Sequence, residues 1–135
     1  MLVLTIHPVA LACVAVLGLL IFVLGLAVSA ARGRAKVLIG VTGDADAMLN
    51  RLVRAHGNTT EYAPYLAILF LLHGALNPST LILWLMGLAT VSRVLFALGL
   101  VTARSLSKPA PLRFVGALGT YVVGIWLSVL LFWQV

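Results

Sequence analysis

Arg51, Arg54, Asn58 and Glu61 stand three, four and three residues apart. On a helix turning ~100° per residue they share an arc of roughly 80° and climb about 15 Å. Two guanidinium groups, an amide and a carboxylate on one stripe make a recognition set. Arg grips a carboxylate through paired N–H bonds, and Glu receives an ammonium. A small zwitterionic or anionic ligand is therefore matched. The setting sharpens this reading, because a long apolar run follows the stripe and the other acidic residues, Asp44 and Asp46, belong to a connection. An ionisable group within a membrane helix costs ~2.5–3.5 kcal/mol on insertion scales, so it is a functional hypothesis by default. The competing reading is a purely structural network between helices. Arg93 lies deep in the third apolar stretch and needs an anion, and Glu61 is the only carboxylate at comparable depth. A structural Glu61–Arg93 ion pair is expected. Tyr62 adjoins the stripe and joins the candidate binding residues. His56 joins them if a ligand reaches it, and is otherwise a solvated first-turn residue.

The elements that position these residues follow from hydropathy. The 135 residues are 63% hydrophobic and 9% charged, with mean hydropathy +1.19, and a soluble domain needs more charged surface. Four apolar stretches, at about 8–31, 47–76, 79–101 and 111–133, are each long enough to cross a ~30 Å hydrocarbon layer. The expectation is an all-α integral membrane protein, a single four-helix domain over 1–135. Its core is thin, so self-association in the lipid is expected. Pro8 suits the first turn of the first helix, and Asp44 or Asp46 is a candidate cap of the second. Pro64 sits within the second helix and should kink it beyond Glu61. Gly116, Thr120, Gly124 and Ser128 form a small-residue ridge on the fourth, where another helix can approach closely. Ala27-Val28-Ser29-Ala30 resembles a signal-peptidase site, but no positive residue precedes the apolar run, and a retained helix is expected.

The net charge of +6 would suggest nucleic acid in a soluble protein. Here most cations flank membrane spans, so no nucleic acid partner is expected. Arg32, Arg34 and Lys36 follow the first span, and Arg104, Lys108 and Arg113 lie between the third and fourth. The positive-inside rule then places the first and third connections in the cytoplasm and both termini outside it. Arg113 alone reads as an anchor at that face. Cys13 is the single cysteine and His7, His56 and His73 are dispersed, so neither a disulfide nor a metal site is expected. No nucleophile pair or phosphate loop is present.

The segment RAHGNTTEYAPYLAILFLL resembles the second-helix signature of the membrane-associated proteins in eicosanoid and glutathione metabolism, the MAPEG family. Arg54, Asn58, Glu61 and Pro64 fit its pattern, as do Ser92-Arg93 and Leu112-Arg113-Phe114-Val115-Gly116. The resemblance covers nearly the whole chain and implies a homotrimer of four-helix subunits, bacterial in type and set in the inner membrane. It implies glutathione bound between subunits at the cytoplasmic side, by Arg54, Asn58, Glu61 and Tyr62, with His56 and Arg51 assisting. Arg113, with Arg104 as runner-up, would stabilise the thiolate, since a nearby cation lowers a thiol's pKa and the thiolate is the nucleophile. The implied activity is that of a glutathione transferase or peroxidase acting on a lipophilic electrophile or hydroperoxide from the bilayer. Active members often carry Tyr or His after the helix-three Arg, where this chain has Leu95, Phe96, Ala97, Leu98, Gly99 and Leu100. A non-catalytic lipid- or thiol-binding member is the alternative. From another class, a small exporter using Glu61 is kept.

Overall fold

A computed structural model describes residues 5–134. Four helices follow one another, α1 Pro8–Ala35, α2 Met48–Ala75, α3 Thr80–Val101 and α4 Pro111–Phe132. Their ends have local causes. His7 accepts from the Val9 amide and Pro8 opens α1; Ser79 accepts from the Ile82 amide ahead of α3; Pro111 opens α4. Neither Asp44 nor Asp46 caps α2. Its N-cap is Ala47, without a side-chain bond, because both carboxylates are engaged elsewhere: Asp44 accepts from the Asp46 amide and Asp46 from the Leu106 amide. α2 runs unbroken through Pro64.

α1, α3 and α4 are long and apolar enough to cross a membrane. α2 is equally long at 28 residues, but the polar stripe in its first half lowers its hydropathy below theirs. Large apolar side chains face outward on the other helices, among them Phe22 and Leu26 on α1, Trp84 on α3, and Ile125 and Phe132 on α4. Such an exterior belongs in lipid or against another apolar surface.

The core has two parts. Leu17, Leu66, Phe70, Met86 and Leu127 fill one, and Leu24, Leu52, Ala55, Ala97 and Leu100 fill the other. Between them lies a tier of buried Thr59, Ser92 and Arg93. Glycines allow the closest crossing. A Cβ on Gly116 would lie 2.5 Å from the Phe96 nitrogen, and one on Gly99 would lie 2.5 Å from the Arg113 nitrogen. The amino end of α4 is thus pressed directly onto the last turns of α3. Part of the small-residue ridge on α4 is consumed inside the subunit in this way.

Side chains tie the first and third connections together at one end. Arg51 donates to the carbonyls of Val101 and Ala103. Asp46 receives the Leu106 amide at 2.7 Å. At the opposite end the His7 amide donates to the Gly74 carbonyl, and buried His73 meets the Leu127 carbonyl at 2.9 Å.

Candidate functional site

The stripe on α2 divides by direction. Arg54, Asn58 and Glu61 line a cleft of about 890 Å³, together with Phe96 and Leu100 of α3, Ser107 of the third connection and Arg113 of α4. Arg51 does not line it. Its guanidinium is spent on the carbonyls that end α3, where a cation suits both the unpaired carbonyls and the negative end of the helix dipole. His56 turns toward α1 and packs on Gly25. Arg104 is exposed and does not line the cleft.

Arg113 enters the site because of Gly99. With no side chain between them, the first turn of α4 sits on the backbone of α3. The guanidinium then donates to the Leu106 carbonyl at 3.0 Å and to the Lys108 carbonyl at 3.2 Å. Those bonds fix the cation at the rim of the cleft. The apolar sequence after Arg93 therefore has a positional use: Phe96 walls the cleft and Gly99 admits Arg113.

Arg93 is 1% exposed, yet it forms no ion pair with Glu61. It donates to Asn58 Oδ1 at 2.8 Å, and Asn58 Nδ2 reaches Glu61 Oε2 at 3.4 Å. The expected Glu61–Arg93 pair is thus replaced by a relay through an amide. The reason is position: Glu61 faces the open cleft, whereas Arg93 lies inside. Asn58 can accept from the cation on one side and donate to the carboxylate on the other. The Arg93 guanidinium carbon lies over the rings of Tyr62 and Phe96, 5.2 and 5.0 Å from their centres. A cation placed over aromatic faces in this way is stabilised where water is excluded.

Tyr62 lines a second space, an apolar groove of about 660 Å³ between α2 and α4. Leu66, Leu69, Ile125, Val129 and Phe132 are among the apolar residues of its wall, and Tyr62 and Tyr121 stand at its Glu61 end with hydroxyls 3.5 Å apart. The hydroxyls of Thr120 and Ser128 are turned back onto their own helix, to Gly116 and Gly124. Polar atoms free to meet a ligand therefore gather at the Glu61 end. Glu61 lines both spaces.

Sequence reasoning missed Asn50 and Tyr121. Asn50 lines the cleft and clamps the first connection, accepting from the Thr42 amide at 2.9 Å and donating to the carbonyls of Thr42 and Asp44. Its signal was an amide in the first turn after a Gly/Asp-rich loop. Tyr121 carried no signal beyond an aromatic on an apolar helix.

The family model of the MAPEG family matches residues 10–133. No curated protein and no solved structure matches the chain.

Proposed function

The chain belongs to the MAPEG family, a membrane protein of the kind concerned with eicosanoid and glutathione metabolism, and from that premise we propose that it binds glutathione, or a related thiol, in the polar cleft and activates it for attack on a lipophilic acceptor. The observation that carries the reading is that Glu61 borders both the cleft and the apolar groove. A polar thiol and a lipid-soluble partner held in the two spaces would meet beside it.

The donor set fits such a ligand. Arg54 is exposed in the cleft and offers a fork to a carboxylate. Glu61 offers its carboxylate to an ammonium, and Asn58 supports it. Arg113 is a fixed cation suited to stabilising a thiolate rather than a neutral thiol. In conjugation the sulfhydryl proton passes to water in the open cleft. The sulfur electron pair forms a bond to the electrophilic carbon, and the leaving group departs with its bonding pair. With a hydroperoxide the sulfur pair would instead bond to oxygen as the O–O bond breaks. The alkoxide leaves and takes a proton from water, and a second glutathione thiol displaces water from the resulting sulfenic acid to give the disulfide. Holding both reactants supplies the proximity on which bimolecular catalysis depends. Arg51 and His56 have no place in this scheme, and Tyr62 lines the apolar groove beside Glu61.

The functional unit proposed is a homotrimer. Its motive is physical: the cleft carries exposed ionisable groups that need shielding from lipid, and the outward apolar faces need cover. The number three rests on the family. Four membrane crossings, the bacterial inner membrane and termini outside the cytoplasm complete the proposal, the last from the basic first and third connections. The exporter reading has less support, since it lacks the family match.

The test is purification in mild detergent, calorimetric titration with glutathione, and a conjugation assay with a generic lipophilic electrophile. Binding with turnover supports the proposal. Binding without turnover supports a non-catalytic member. Neither, in folded protein, overturns the thiol reading.

A further inference from the structure

Leu38 and Ile39 are 93% and 89% exposed, the most exposed large apolar residues described. Their exposure is imposed by the backbone. α1 ends with Lys36 in the left-handed region at φ 54, and the Val37 amide bonds back to the Arg32 carbonyl at 3.1 Å. This is a Schellman-type stop, which reverses the chain and turns the following residue inward. Val37 accordingly packs against the core part that contains Leu24 and Leu52. Five residues later the chain is held again, where Asn50 clamps Thr42 by its amide and carbonyl. Leu38 and Ile39 form the tip between two fixed points.

The charge around the tip has one sign. Arg32, Arg34 and Lys36 precede it, and no acidic residue occurs before Asp44. The carboxylates that follow are turned to backbone amides of the first and third connections. Lys108 and Arg104 add cations at the same end. An apolar tip preceded by cations, at the end of a membrane helix, has the composition that binds an anionic bilayer surface: side chains enter the headgroup–acyl boundary while the cations face lipid phosphates.

We propose that the Leu38–Ile39 tip docks into the anionic phospholipid headgroup layer and so anchors the first connection. The anchor bears on the cleft, because Val41 and Ala45 of that connection line it. Lipid charge would then influence how firmly that wall is held. The inference is independent of which thiol, if any, occupies the site.

The test uses the full chain with Ile39→Cys carrying an environment-sensitive fluorophore, in nanodiscs of phosphatidylglycerol or phosphatidylcholine. Buried Cys13 allows the unsubstituted chain to serve as the labelling control. Lipids with a quencher high on the acyl chain should quench the probe in phosphatidylglycerol and much less in phosphatidylcholine. Arg34→Gln and Lys36→Gln should each weaken the interaction by roughly fivefold, as expected for one cation near an anionic surface. Both side chains are exposed, and thermal melting checks that the fold is kept. Equal quenching in the two lipids would overturn the anionic requirement. No quenching in either would overturn docking altogether, and disulfide formation between two unlabelled chains carrying Ile39→Cys would then assign the tip to a second copy.

Discussion

Arg93 donates to Asn58 Oδ1 at 2.8 Å from a position almost wholly shut off from solvent. Asn58 is the only hydrogen-bond partner of that guanidinium among the described residues, and its Nε has none. Asn58→Ala should therefore lower stability by about 1.5–3 kcal/mol, the range for a hydrogen bond to a charged group. Asn58→Asp should recover part of that loss, since a carboxylate accepts from the same cation but no longer donates to Glu61 and stands against its like charge. Thermal melts in one detergent decide the matter, and equal melting of the Ala variant and the parent would remove Asn58 from this role.

Glu61 stands differently. It is exposed and touches the network only through the 3.4 Å contact from Asn58. Glu61→Gln should leave the melting temperature nearly unchanged, because exposed polar contacts contribute little. The same change should weaken glutathione binding by about tenfold or more, through loss of a charge-assisted bond of roughly 1.5–3 kcal/mol. A variant that binds normally would separate Glu61 from the ligand.

These two residues show what was legible in the sequence and what was not. Helical periodicity placed Arg54, Asn58 and Glu61 on one stripe, and the cleft receives all three. Periodicity also placed Arg51 with them, since it describes where a side chain leaves the helix and not how far a flexible one reaches. Arg51 reaches the end of α3 instead. The ion pair expected from charge alone ignored the amide between the partners. Arg113 looked like an anchor by spacing, and only the Gly99 crossing explains how it reaches the cleft. Such a crossing depends on two helices at once, which no single-helix pattern contains.

That crossing is itself testable. Gly116→Ala would put a methyl 2.5 Å from the backbone nitrogen of Phe96, where no side chain can yield. α3 and α4 would have to separate, at a cost of typically about 1–3 kcal/mol for overpacking. Gly87→Ala, with open space around the added carbon, is the control and should melt like the parent. Similar melting of the Gly116 and Gly87 variants would contradict the close crossing.

The link between the first and third connections should respond to acid. The Leu106 amide, helped by the Ser105 hydroxyl, holds the Asp46 carboxyl below the ordinary Asp value, with Arg51 and Lys108 adding to the effect. A depressed folded pKa means the contribution is complete above the unfolded value of about 3.9 and is lost as pH falls through the lower folded one. A fluorophore on Ser107→Cys should report release of the connection with a midpoint below about pH 3.9. Asp46→Asn keeps an acceptor oxygen but cannot titrate, so its profile should lack that step. Persistence of the step would assign it to another group.

The chemistry of the cleft separates binding from activation. If the protein turns over, Arg113→Ala should lower the rate of thiolate attack by roughly 10²–10³ while weakening glutathione binding much less. The cation stabilises the thiolate and not the neutral thiol, so its loss raises the bound thiol's pKa. Arg113 also holds the carbonyls of Leu106 and Lys108, so the Ala variant loosens the third connection as well. Arg113→Lys tells the two effects apart: it keeps a positive charge but loses the two-carbonyl fork, and its thiolate absorbance should recover more than its thermal stability. Arg54→Ala should instead weaken binding first, because a carboxylate clamp acts on ground and transition states alike. Thiolate absorbance and single-turnover rates at saturating glutathione measure these differences. Unchanged turnover in Arg113→Ala would shift the role toward Arg104, which would then have to move into the cleft from its exposed position.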